Sequence, residues 1–399
     1  MNIVFITLLH ITDVEERGIY QDLIRKFRDE GHSVYIVCPV ERCIGLDTEL
    51  NEGKGVKILS VKTLNIQKTN VVEKGLGTIL VEGQFKRAIK KYLKGVKFDL
   101  ITYSTPPITL TNAVKYLKKQ NPQAVTYLQL KDIFPQNAVD IQMFSKGSLF
   151  YKFFRKKEKA LYKASDYIGC MSPANVEFVL KHNPEIAPVQ VEVAPNSVEL
   201  CHADEVRCKR EDVRSKYGLP LNKPIFIYGG NLGKPQGIPF LIECLNANAD
   251  RNDCHFLVIG TGTELSRLKA WYEEKKPTSV TVMNGLPKAD YDQLVKSCDV
   301  GLIFLDHRFT IPNYPSRLLS YLENKMPVLC ATDPNTDIGR IAEENGYGYW
   351  CESNSVWDFT NRVDMMLKSD MKAMGEVGYE FLKKNYLVEN TYNAIMKHF

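Results

Sequence analysis

The sequence lacks long apolar runs: none of its stretches approaches the roughly 18 residues that a membrane-spanning helix requires, so no spanning helix is expected. The start, MNIVFITLLHITDVEERG, carries no basic leader and no small-residue cleavage site, and reads as a buried first strand rather than a signal peptide. None of the ten cysteines forms a C-x-x-C pair, and several lie inside apolar runs, as Cys38 does in YIVC and Cys330 in PVLCA. Scattered, unpaired, apolar cysteines point to a reducing, cytoplasmic setting and argue against structural zinc. No short repeat or low-complexity segment appears. A composition of 44% hydrophobic and 25% charged residues excludes collagen-like and largely disordered classes. The 399 residues are too many for one core and predict two or three domains at about 150 residues each.

What is present is an alternation of short apolar strands with amphipathic helices. In the first half, strands are expected at 2–7, 34–38, 56–61, 100–104, 124–130, 166–172 and 189–195. Between the first two, Ile19, Leu23 and Phe27 recur every four residues and Gly31 supplies a stop. The pattern restarts in the second half, with strands expected at 224–230, 254–260, 280–285, 299–305, 327–331 and 347–351. Apolar strands separated by helices mean parallel sheets covered on both faces. The expected organisation is α/β: a Rossmann-like domain over 1–198, a second over 199–371, and a helical tail over 372–399 that packs back on the first. The segment 196–223 reads as a polar connection followed by a short helix. Two such domains with an interdomain cleft place ligands outside the carboxyl ends of the strands.

The net charge of +5 hides an asymmetry. Residues 51–163 hold 22 basic and 7 acidic side chains, a balance of +15. Two clusters dominate, QFKRAIKKYLKGVK over 84–97 and KGSLFYKFFRKKEKALYK over 146–163. The plain reading is a solvated helix face. The sharper one is docking on an anionic membrane surface, with the aromatics at headgroup level. Nucleic acid ranks last, because no recognition motif accompanies the charge.

Two loops in the second half carry chemistry. In IYGGNLGKPQGIPFLIECL a strand runs through Gly229, Gly230, Gly233 and Gly237 into a helix. Glycines admit close approach of a ligand to the backbone, a helix start offers free N–H groups to an anion, and Lys234 adds a positive charge. This is neither a Walker A loop nor G-x-G-x-x-G, and a glycine turn without a ligand is the competing reading. In HRFTIPNYPSRLLSYLENKMPVLCA, Pro312 and Pro315 keep the helix from starting earlier and put Ser316 near the N-cap. Arg317 then falls in the first turn, against the helix dipole, a local conflict expected where an anion binds. Together the loops would form a diphosphate cradle.

Three motifs, GGNLGKPQGI, NGLPKADYDQLVKSCDVGLIFL and NYPSRLLSYLENKMPVL, resemble the donor loop, nucleotide-base segment and donor-phosphate helix of retaining glycosyltransferases of family 4, which have the two-domain GT-B fold. TYSTPP (102–107) and LKDIFPQNAV (130–139) resemble the branch that includes N-acetylfucosamine transferases of bacterial polysaccharide synthesis, and APNSVEL (194–200) looks like the family's interdomain turn. The resemblance implies donor contacts at Gly230, Asn231, Gly233, Lys234, Gln236, Gly237, Gly285, Leu286, Tyr314, Ser316 and Arg317, with Gly285 and Leu286 reading uracil through their backbone. The family's loop carries cations at the positions of Asn231 and Gln236; both are neutral here, which leaves Lys234 and Arg317. The family's E-x7-E pattern is broken, with Pro312 and Ser320 at its two positions.

Asp132 follows a strand where many members place a histidine facing the reacting carbon, and is the expected catalytic residue; capping of the turn before Pro135 is its structural alternative. His10 and Gly18 lie in the loop where the family binds acceptor, although His10 equally suits an ordinary loop position. Glu264, in VIGTGTEL, is expected only to open a helix. The implied activity transfers a sugar from a UDP-sugar to a lipid-linked saccharide with retention, in capsule, O-antigen or exopolysaccharide synthesis. It implies no metal and no cofactor beyond the donor, and a peripheral location on the inner face of the cell membrane. A nucleotide-sugar 2-epimerase and a non-catalytic assembly subunit of the same fold are the alternatives.

Overall fold

The computed structural model describes residues 1–66, 71–200 and 209–399. Cys201, Cys208 and the middle of the connection expected over 196–223 lie outside them. The other eight cysteines are free, and all but Cys43 are buried. The chain divides into two compact units: Met1–Glu199 with Leu387–Phe399, and Leu200–Tyr386.

The first unit is built on eight strands: β1 (Asn2–Ile6), β2 (Ser33–Glu41), β3 (Glu49–Gly53), β4 (Val56–Thr63), β5 (Leu100–Ser104), β6 (Val125–Leu130), β7 (Tyr167–Cys170) and β8 (Val191–Val193). Their order is β3-β4-β2-β1-β5-β6-β7-β8, parallel except for the β3–β4 pair. Ile3, Val4, Phe5 and Ile6 are wholly buried because helices cover both faces. Helix Ile19–Asp29 lays Leu23, Ile24 and Phe27 on Ile3, Phe5 and Ile36. Sequence reading missed β3, whose polar ELNEG sits at the exposed sheet edge and shows no apolar signal. β1 pairs with β2 on one side and β5 on the other, so the winding reverses there.

The second unit has six parallel strands: β9 (Ile225–Asn231), β10 (His255–Thr261), β11 (Val280–Asn284), β12 (Val300–Phe304), β13 (Val328–Thr332) and β14 (Gly348–Glu352). They lie in the order β11-β10-β9-β12-β13-β14, with the reversal between β9 and β12. β9 pairs with β10 along its whole length, from Ile225 to Asn231. With β12 it pairs only at Phe226 and Ile227. Beyond that point the two strands part, and the fully buried Tyr321 fills the gap. Its hydroxyl lies 3.2 Å from the Ile227 carbonyl and 3.4 Å from that of Leu302, and accepts the Gly229 N–H at 3.3 Å. Gly301 leaves room for the ring, since a Cβ there would lie 2.2 Å from it.

The tail expected as one element over 372–399 is two. Helix Met371–Asn385 stays with the second unit, where Gly375 brings it so close that a Cβ would lie 1.9 Å from the Lys325 carbonyl oxygen. Helix Val388–Met396 belongs to the first unit: Val388 donates to the Val198 carbonyl at 3.0 Å, and Tyr392 packs on Phe27.

A buried arginine fixes the entry to the second sheet. Arg214, in helix Arg210–Lys216, has a side chain only 1% exposed. It donates to the carbonyls of Ser297, Pro220, Leu221 and Lys223 and to Asp299 at 2.7 Å, and Asp299 in turn accepts the Ile225 N–H that starts β9. Arg210 pairs with the same carboxylate at 2.6 Å but is 44% exposed. Truncating a buried partner strands the groups it satisfied. Arg214→Ala is expected to cost about 3–5 kcal/mol of unfolding free energy, and Arg210→Ala less than about 1 kcal/mol. Urea titration followed by tryptophan fluorescence reads both, and equal losses would contradict the assignment.

Candidate active site

Where a doubly wound sheet reverses, the loops leaving the two central strands part and open a crevice at the carboxyl edge. In the second unit those are the loops after β9 and after β12, the two singled out from sequence. They meet. A Cβ on Gly230 would lie 3.6 Å from Arg317 Nη2. Gly237, at φ +59°, sits against Asp306, whose N–H donates to the Pro235 carbonyl at 3.0 Å. Gly237 also opens helix Ile238–Ala247 with no side-chain cap, leaving first-turn N–H groups without a side-chain acceptor. The neutral positions of the glycine loop close on each other: the Gln236 carbonyl oxygen accepts from Asn231 Nδ2 at 3.1 Å and from the Gly233 N–H at 3.2 Å.

Arg317 is the charge at this edge. Its guanidinium carbon lies 4.3 Å from the centroid of the Tyr228 ring. Its Nη1 is sealed from solvent without a hydrogen-bond partner, and the guanidinium has no carboxylate within 4 Å among the described residues. A buried donor left unsatisfied beside a cation is costly unless a ligand completes it. Lys234 is exposed in the glycine loop after β9. The loop after β11 joins the edge, since a Cβ on Gly285 would lie 2.9 Å from Thr261 Cγ2; Leu286 is half-buried.

Ser316 stands at the N-cap position of its helix, Arg317–Glu323, as expected. Its exposed hydroxyl makes no cap bond, because its backbone is helical (φ −64°, ψ −16°) rather than extended. Tyr314 anchors its turn, its hydroxyl taken up by the hydroxyl of Tyr386. Glu264 precedes helix Leu265–Lys275, as expected. Sequence reading missed Tyr228, Tyr291 and Tyr321, which surround Arg317, and Gly260, where a Cβ would lie 1.8 Å from the Gly230 carbonyl oxygen. A tyrosine four residues after Arg317 on one helix was the available signal for Tyr321.

In the first unit, Asp132 follows β6 at the carboxyl edge. Its backbone N–H donates to Thr105 Oγ1 at 3.2 Å, while its carboxylate has no hydrogen-bond or ion-pair partner among the described residues. Burial alone pushes that carboxyl up to about 6. The turn-capping alternative is therefore met by Thr105 and not by Asp132 itself. Burial raises the Tyr20 hydroxyl, which contacts Ser104 and feels the charge of Asp132. Tyr20 lies two residues after Gly18, in the first turn of helix Ile19–Asp29. Gly18 is extended and tight, since a Cβ would lie 2.3 Å from Gln21 Oε1. His10 is half-buried in the loop after β1 and makes no hydrogen bond among the described residues. The neighbouring Lys131, unremarked in the sequence, is lowered to about 7 by burial, and its amine reaches only the Ala194 carbonyl at 3.5 Å.

The two basic clusters separate. Over 84–92 Phe85, Ala88 and Ile89 face inward while Lys86, Arg87, Lys90 and Lys91 face out, an ordinary solvated helix face. Helix Leu149–Tyr162 turns Phe154 onto Phe134 and buries Leu161 and Tyr162, yet leaves Leu149 81% and Phe150 69% exposed beside exposed Lys146, Lys152 and Lys156. No helix among the described residues is long and apolar enough to cross a membrane.

Comparison with known proteins follows this geometry. Residues 209–381 match the model of the family described as glycosyl transferases group 1. The chain is 23% identical over 324 residues to the probable glycosyltransferase WbjE of Pseudomonas aeruginosa, covering 80% of this chain and 78% of the relative. It is 26% identical over 134 residues to the putative colanic acid biosynthesis glycosyl transferase WcaI of Escherichia coli, covering 33% of this chain and 32% of that one. The solved structure of trehalose-6-phosphate from E. coli bound with UDP-2-fluoro glucose superimposes with a TM-score of 0.72 at 10% identity, covering 100% of this chain and 98% of that one. The chain thus has the GT-B fold, and residues 209–381 of its second unit are similar to the glycosyl transferases group 1 family.

Proposed function

We propose that this chain transfers a sugar from a UDP-sugar to a lipid-linked saccharide in bacterial polysaccharide synthesis, with retention at the anomeric carbon. The observation that carries the donor half is the junction of the two turns at Gly230 and Arg317, where the guanidinium Nη1 is sealed from solvent without a hydrogen-bond partner. Arg317, Lys234 and the start of helix Ile238–Ala247 hold the diphosphate and offset its charge as the sugar–phosphate bond breaks. The acceptor oxygen forms the new bond to the anomeric carbon from the face the diphosphate leaves, and its proton passes to a phosphate oxygen. The Asp132 carboxylate offsets the positive charge that develops at the sugar as the sugar–phosphate bond breaks. The scheme requires no metal. A UDP donor accords with the UDP-2-fluoro glucose of the E. coli neighbour, and the polysaccharide setting with the name of WcaI. The outward Leu149, Phe150 and lysines of the first unit suit an anionic membrane surface where a lipid-linked acceptor resides.

Incubation with a panel of UDP-sugars and membrane extract identifies the one consumed. With that donor, Arg317→Ala is expected to lower kcat/KM at least about tenfold without unfolding the protein; undiminished turnover would remove the phosphate assignment.

The raised Asp132 carboxyl sets a pH dependence. It must be ionised to offset that charge, so transfer is expected to fall as pH drops through about 6. Asp132→Asn should abolish that acid limb and reduce transfer far more than donor binding. Because burial penalises the ionised form in the folded state, the same variant should not lower stability at pH 7. A lower melting temperature there, with equal loss of donor binding, would mark Asp132 as structural.

Vesicles containing phosphatidylglycerol are expected to co-sediment the protein, less so at high salt. Leu149→Ser with Phe150→Ser should release it while leaving UDP binding intact. Binding indifferent to lipid charge would discard the membrane reading.

A further inference from the structure

Tyr228 touches both halves of the phosphate edge. Its ring carries the Arg317 guanidinium at 4.3 Å, and its hydroxyl donates to the Asn231 carbonyl in the glycine loop at 2.8 Å. It is wholly buried, so neither group is turned to solvent. Asn231 and Gln236 bond each other and supply no charge. Beside the exposed Lys234, the cation at this edge comes from the other loop, and something must set its plane. A guanidinium stacks on an aromatic face and presents a planar fork of N–H donors, whereas an ammonium is a point charge on a flexible stem. Tyr291 crowds the same place, its hydroxyl 1.9 Å from where a Cβ on Gly229 would lie.

We infer that Tyr228 is a positioning residue for the donor diphosphate: its ring fixes the plane of Arg317 against Gly230, while its hydroxyl fixes the loop on the opposite side. The inference rests on the donor reading above, and it explains how a glycine loop that is neutral at Asn231 and Gln236 holds a diphosphate with the help of one stacked arginine.

The test measures binding of UDP and of uridine by calorimetry on the full chain. Tyr228→Leu is expected to weaken UDP about tenfold while leaving uridine unchanged. Tyr228→Phe, which keeps the ring, should weaken UDP by about fivefold or less. Arg317→Lys, which keeps the charge and the fold, should lose nearly as much as Arg317→Ala. Adding Tyr228→Leu to Arg317→Ala should cost nothing further, because both remove one device. Equal loss of UDP and uridine in Tyr228→Leu, full additivity in the double variant, or full UDP affinity in Arg317→Lys would each overturn the inference. Should Tyr228→Leu fail to fold, the Arg317→Lys and Tyr228→Phe results still decide it. Full UDP affinity in Arg317→Ala would instead overturn the donor-phosphate reading itself.

Discussion

The second unit depends on the parting of two strands. Parallel neighbours ordinarily run hydrogen-bonded to their ends, yet β9 leaves β12 after two residues. The carbonyls and N–H groups stripped of partners there would each cost about 1–3 kcal/mol if left unsatisfied. Tyr321 meets that cost with a single hydroxyl set among Ile227, Leu302 and Gly229. The residue is anchored on the helix that begins with Arg317, so the group that keeps the strands apart and the charge that lines the opening sit one turn from each other.

Around that opening the chain uses glycine and tyrosine in complement. Gly229, Gly260 and Gly301 are places where a Cβ would strike a ring or a carbonyl. Their absent side chains are filled by Tyr291, Tyr321 and the backbone of the neighbouring strand. The loop is neutral at Asn231 and Gln236, and the arginine from across the reversal lies beside it at Gly230. The neutral residues are occupied in shaping the turn.

Much of this was legible in the sequence. The strands of both sheets, except the polar β3, announce themselves as apolar runs, since a parallel strand buried on two faces can be little else. The two ligand loops were legible because glycine and proline mark backbone requirements directly. The aromatic surroundings of Arg317 were not, because Tyr228 and Tyr321 read as ordinary core residues until the register of β9 against β12 is known. Ser316 was legible as the residue at the helix start, but whether its hydroxyl caps depends on its own backbone angles, which neighbouring prolines restrict but do not determine. Asp132 was visible as a carboxylate after a strand, but its shift comes from enclosure, a property of three dimensions alone. The division of the tail turned on Gly375 and on Val198, contacts far apart along the chain.

That division bears on the order of biosynthesis. Helix Val388–Met396 completes the first unit, packing Tyr392 on Phe27 and pairing Val388 with Val198. The ribosome releases that helix only after the whole second unit has emerged. The amino-terminal sheet must therefore wait, with one hydrophobic flank bare, through the translation of nearly two hundred residues, which makes this flank a natural point for chaperone attention in the growing cell.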